Sequence, residues 1–116
     1  MLDAMKRLIE IFAARSPDHG TLDELHRLIG DRDAWHRAYD LFQRIRDKTL
    51  VAEKQGDLKM GAQFCFEEAC AKTLYNLMGR PAPFDTDSPF WIVPNAIVTA
   101  RYFEIDERDI LRAIVA

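Results

Sequence analysis

A chain of 116 residues, 48% hydrophobic and 30% charged, can bury roughly 65 % of the surface its unfolded form exposes, which excludes a disordered segment. No apolar run reaches membrane length, and two cysteines are too few for a disulfide framework, so neither a membrane span nor a stapled secreted scaffold fits. The formal charge of -3 is unevenly spread: residues 85–109 carry six acids, Asp85, Asp87, Glu104, Asp106, Glu107 and Asp109, against Arg101 and Arg108.

The first predicted element is an amphipathic helix from Asp3 to Arg15, on which Leu2, Met5, Leu8, Ile9 and Phe12 recur at three and four and which stops before Ser16-Pro17. Thr21 with Glu24 reads as a capping box, and Gly30 as a stop, giving a short helix from Leu22 to Ile29. Between Arg32 and Gln55, one stripe of Trp35, Ala38, Phe42, Ile45, Thr49 and Ala52 predicts a long helix with one wet face, ended by Gly56-Asp57. The segment Leu58 to Met78 differs. Phe66, Cys70, Leu74 and Leu77 lie on one side and Phe64, Ala71, Tyr75 and Met78 on the other, the pattern of a central, buried helix ended by Gly79.

Residues 80–95, RPAPFDTDSPFWIVPN, predict a proline- and aromatic-rich loop. Within it Ser88 and Pro89 can cap and start a single helical turn to about Ile92, which Pro94 stops. Asn95 or Pro94 then opens a fifth helix to about Phe103, and Asp106 caps a sixth through Leu111, Ile114 and Val115, with Glu107 and Asp109 in the first turn where the helix dipole favours acids. The expectation is an all-α fold: one domain over residues 1–116, a compact bundle of five to six helices around the central segment 58–78.

Several residues have the right chemistry for a site. Asp33, His36 and Asp40 have a ligand-like spacing, but they lie opposite the apolar stripe together with Arg44 and Asp47, as on a solvated, salt-bridged face, so no metal is expected. Glu67 shares the central helix with Gln63 and Cys70. A buried carboxyl there reads as structural, with Gln63, hydrogen-bonding loop backbone such as the turn at Phe84 to Ser88, while Glu68 has Lys72 four residues on for an ion pair. Cys65 and Cys70 are five apart on one helix, about 8.6 Å between α-carbons from helix rise and radius, too far for a disulfide. Without a base in its own segment, Cys70 reads as a small core residue. No phosphate loop, nucleophile elbow or zinc spacing occurs, so no cofactor is expected and an enzyme is the last choice.

The proline-rich stretch can close one end of the core with Phe84, Phe90 and Trp91, or present them to a partner. Its acidic surround favours a basic, partly apolar protein surface, with the acids speeding encounter. The expected contact residues are Asp85, Asp87, Phe90, Trp91, Glu104, Asp106, Glu107 and Asp109. The last two helices have a helix-turn-helix outline, yet the second leads with acids that repel phosphate, which argues against direct nucleic-acid binding.

Taken whole, a small, acidic, all-helical chain without a catalytic constellation resembles the immunity proteins with which bacteria neutralise a toxin. That resemblance implies a protein-binding inhibitor with a basic partner, a toxin or nuclease, and assigns no individual residue. The expectation is therefore a cytoplasmic, immunity- or antitoxin-like module, with a regulatory or adaptor domain as the alternative.

Overall fold

A computed structural model describes residues 2–34, 36–77 and 88–115. The described residues are all-helical: α1 (Leu2–Ala13), α2 (Gly20–Ile29), a single 3-10 turn over Arg32–Ala34, α3 (Arg37–Gln55), α4 (Leu58–Leu77), α5 (Ser88–Tyr102) and α6 (Glu107–Val115). Among them no helix is long and apolar enough to cross a membrane. Trp35 and residues 78–87, which include the first part of the expected proline-rich loop, lie outside the described residues.

The helix at 58–77 is the centre. It packs on α3, α5 and α2, while α1 seats on α2 and α6. Because α4 is apolar around most of its circumference, it buries Phe64, Phe66, Ala69, Cys70, Ala71 and Leu74 at once. Phe66 meets Phe12 of α1 edge to face, with ring centroids 4.9 Å apart. The bundle closes on itself where Arg7 Nε of α1 donates to the Ala113 carbonyl of α6 at 2.6 Å.

Two residues turn the chain between α3 and α4. Gly56, with φ 67, takes the left-handed conformation that a glycine adopts without steric cost, and the next amide, of Asp57, reaches back to the Ala52 carbonyl at 2.9 Å. Asp57 Oδ1 then accepts the Met60 N–H at 3.1 Å and caps α4. The same device ends α5 without glycine: Glu104 stands at φ 57, and the Ile105 N–H donates to the Ala100 carbonyl at 2.9 Å. Asp106 starts α6, its Oδ1 accepting the Arg108 N–H at 2.9 Å.

The structure corrects three local expectations. Thr21 is not a cap: α2 begins at Gly20, Thr21 is buried, and its hydroxyl donates to Glu67 Oε1, while Glu24 binds Arg44 through two hydrogen bonds of 3.2 and 2.5 Å. The long third helix breaks before Arg37, because Asp31 Oδ1 takes the Asp33 N–H at 3.0 Å and folds a local 3-10 turn instead. Glu68, which feels the charge of Lys72 four residues on, also accepts a hydrogen bond from Thr49 Oγ1 at 2.8 Å, and Lys72 lies over the Phe42 ring. Most consequentially, Pro94 does not divide two helices but lies inside α5.

An interior proline costs a helix about 3 kcal/mol. Against that, α5 buries Ile92, Ala96, Thr99 and Ala100, and the Thr99 hydroxyl is 3.0 Å from the α4 carbonyl of Ala62. The Asn95 side-chain amide donates to the Trp91 carbonyl at 2.7 Å, on the stretch of ladder that the ring disturbs.

Glu67 is completely buried, and its hydrogen-bond partners among the described residues are side chains; residues 84–87 of the turn expected to meet it lie outside the described residues. Thr21 Oγ1 donates to Oε1 and Gln63 Nε2 donates to Oε2 at 2.8 Å; the same Gln63 amide donates to the Asp18 carbonyl at 2.8 Å. Burial raises the Glu67 carboxyl to about 7, against the pull of those two hydrogen bonds. The native state therefore keeps a proton that the unfolded chain releases near its ordinary value of 4.5. The associated stability is complete below that value, falls as pH rises toward 7, and is flat above it, a change of roughly 3 kcal/mol. Glu67→Gln, neutral at every pH, should lose this slope: urea unfolding from pH 4.5 to 8 should show its stability gaining on the wild type by about that amount. A constant difference between the two proteins across that range would contradict the assignment.

Candidate functional site

Antiparallel packing sets the first turns of α4 beside the last turns of α5, with Lys59 Nζ lying 4.4 Å from the centroid of the Phe103 ring. Here a groove of about 340 Å³ runs between α4 and α5 to the end of α3, lined by Glu53, Leu58, Gly61, Ala62, Cys65, Asn95 and Val98. Gly61 and Ala62 keep the floor low. Leu58 and Val98 border it with 68% and 41% of their surface exposed.

The groove continues along one face of α5. Trp91, Asn95, Val98 and Tyr102 follow the i, i+4, i+7, i+11 rhythm that aligns side chains along a helix, and Trp91 is 57% and Tyr102 43% exposed. Trp91 is thus a surface residue and does not close the end of the core. Asp85, Asp87 and the Phe90 side chain lie outside the described residues.

The remaining expected contact residues lie where α5 passes into α6. Glu104, Asp106, Glu107 and Asp109 are all exposed, but two of them already hold arginines. Arg108 grips Asp106 through Nη2 at 2.7 Å and Nε at 3.1 and 3.2 Å, and with the Arg108 backbone N–H this holds the Asp106 carboxyl at about 2. Arg112 Nη1 reaches Asp109 Oδ1 at 3.2 Å. Among the described residues, Glu104 and Glu107 hold no ion pair, and on the groove's other side Glu53 and Asp57 add negative charge. The result is an apolar face with acids at one end and along one side.

Asp33, His36 and Asp40 do not share a helix face. Asp33 belongs to the 3-10 turn, and His36 and Asp40 to the start of α3. Among the described residues no group of three or more His, Cys, Asp or Glu side chains is placed to hold a metal ion. Gln63 and Glu67 are buried and bonded to each other, as described above. Leu58, Gly61, Ala62, Cys65 and Val98 were missed because sequence periodicity assigns every apolar position of α4 and α5 to the core. The readable signal is an excess: two faces of α4 are apolar, and one of them runs out of neighbours at Leu58.

The chain matches no protein family, no curated protein and no solved structure.

Both cysteines are free. Cys65 is half-buried in the groove, and burial, with the charges of Glu68 and Glu53, raises its thiol; Cys70 is fully buried beside Glu67, and burial raises its thiol well above the usual range. Alkylation should therefore proceed slowly at Cys65 in the folded protein and at Cys70 only after unfolding, as peptide mass analysis can follow. Equal labelling rates in the native state, or an intramolecular bridge in fresh protein, would refute this placement.

Proposed function

We propose that this chain is a small protein-binding module of the bacterial immunity or antitoxin kind, working in the cytoplasm and covering a basic surface of its partner with the α4–α5 face. The observation that carries the reading is the exposed Trp91–Val98–Tyr102 face continuous with the groove at Leu58. Tryptophan and tyrosine on a rigid helix are the side chains from which binding hot spots are most often built, because they bury much surface and lose little freedom. Exposed, they contribute little to folding.

The acids favour a basic partner. Carboxylates at the rim raise the rate of encounter with a cationic surface and repel phosphate, which sets a protein ahead of a nucleic acid as the partner.

The test is to recover the protein that co-purifies with the tagged chain from its native host, then measure association of purified components with two variants. Trp91→Ala should leave the thermal midpoint near wild type and weaken binding by at least about 30-fold, the size of a hot-spot loss. Glu104→Lys combined with Glu107→Lys should slow association and flatten its salt dependence without a comparable effect on dissociation. Wild-type kinetics in both variants would show that the partner binds elsewhere.

A further inference from the structure

On the other side of the α3–α4 turn lies a second groove, of about 440 Å³, between the α1–α2 connection at Pro17 and Asp18, the last half of α3 and the first turns of α4. Its floor is apolar: Val51, Met60 and Phe64. Its rim carries three carboxylates from three separate segments, Asp18, Asp47 and Asp57. The one cation in the lining, Lys48, is held by Asp18, with Nζ 3.2 and 3.3 Å from the two carboxylate oxygens, and lies 5.5 Å from the Phe64 ring centroid. That leaves Asp47, which among the described residues holds no ion pair, and Asp57, engaged only in capping α4, to face an incoming group.

We infer that this groove binds a lysine- or arginine-bearing segment of a protein partner, which inserts one large apolar side chain between Val51, Met60 and Phe64 and sets its cationic groups against Asp47 and Asp57. The inference rests on the protein-binding reading above and extends it to a second contact. Charge complementarity chooses the class of ligand: an apolar floor rewards a hydrophobic side chain, and an acidic rim with its one lysine already engaged rewards cations beside it.

Continuity points the same way. Ala52 and Asp57 line both grooves, so a partner crossing the α3–α4 turn meets them in succession. The walls are set in advance as well. Gln63 fixes the Asp18 carbonyl, the Asp18 N–H donates to Ser16 Oγ at 3.1 Å, and the Lys48 strap holds the Asp18 carboxylate, so little ordering remains to be done when a ligand enters.

Amide-resolved NMR titration with synthetic peptides tests this without the natural partner. The probe is a nine-residue peptide with one central phenylalanine flanked by lysines; the controls replace the phenylalanine by serine or the lysines by glutamates. The lysine–phenylalanine peptide should shift the amides of Val51, Met60 and Phe64, and each control should bind at least about tenfold more weakly. Asp47→Lys, at an exposed position, should weaken the probe by a similar factor, with Asp47→Asn giving a smaller loss; Trp91→Ala should leave it unchanged. No binding at millimolar peptide, equal binding by the serine control, or shifts spread over the acids of α6 would overturn the site. With the co-purified partner in hand, the two readings separate. Loss of binding in Trp91→Ala but not in Asp47→Lys sinks this groove and spares the α4–α5 face, and the opposite pattern does the reverse.

Discussion

Glu67 has its two carboxyl oxygens bonded to a threonine hydroxyl and a glutamine amide, with no cation among its hydrogen-bond partners. A charged carboxylate there exchanges its hydration for two neutral hydrogen bonds, and burial accordingly pushes it toward the neutral form. The donors tie separate parts of the chain together: Thr21 belongs to α2, and Gln63, one turn before Glu67 on α4, also holds the Asp18 carbonyl of the α1–α2 connection. Sliding α2 along α4 leaves a buried donor without an acceptor, at a cost of about 1 to 3 kcal/mol for each. The carboxyl thus selects one register among several that an apolar α4 surface could accept. Every wall built on that register, including the Asp18 side of the second groove, depends on it.

The α3–α4 turn is the other fixed point. Gly56 and Asp57 stop one helix and start the next within two residues, so the end of α3 and the start of α4 are held side by side and the hollows flanking them are shaped by backbone. The lysines nearby behave alike: Lys48, Lys59 and Lys72 lie over the rings of Phe64, Phe103 and Phe42, closing the edges of the core with aliphatic stems and a charge. Those three rings are all buried. Trp91 differs from them in standing 57% exposed on the outer face of α5. The contrast separates aromatic residues that complete the fold from one that the fold does not use.

The helices and the centrality of α4 were legible in sequence because they follow from local signals. Three- and four-residue spacing, Gly56, and Asp106 with its first-turn acids each act within a turn or two. The break before α3 came from a local hydrogen bond between Asp31 and Asp33, but the failures at Thr21 and Pro94 share another cause, which is that a distant partner outweighed a local preference. Thr21 has the sequence of a cap, but its hydroxyl is worth more against a buried carboxyl 46 residues away. Pro94 has the sequence of a stop, but the burial of Ile92 and Ala96 on α4 holds the helix together across it. The acids were visible as a composition bias, whereas the arginines that neutralise Asp106 and Asp109 belong to the same short segment and could only be paired once α6 fixed their geometry. Neither groove was legible, since each is assembled from three segments and no one of them carries a pattern.

The distribution of perturbed groups bears on what kind of protein this is. A carboxyl near neutrality and a thiol beside it are the ingredients of acid–base or nucleophilic chemistry, and here they are Glu67 and Cys70. Both have 0% of their surface exposed, and neither lines either groove, so no substrate atom can reach them without the bundle opening. Along the two grooves the lining side chains are aliphatic, aromatic, carboxylate and amide groups, together with Lys48, which is tied to Asp18, and the half-buried Cys65, whose thiol burial raises. The Glu67 carboxyl, shifted by burial, tunes stability from the interior, whereas the exposed Asp106 is shifted the other way by its surface partner Arg108. Substitution at the exposed Trp91, Val98 or Tyr102 therefore leaves Thr21, Gln63 and Glu67, and with them the register of α2 on α4, in place.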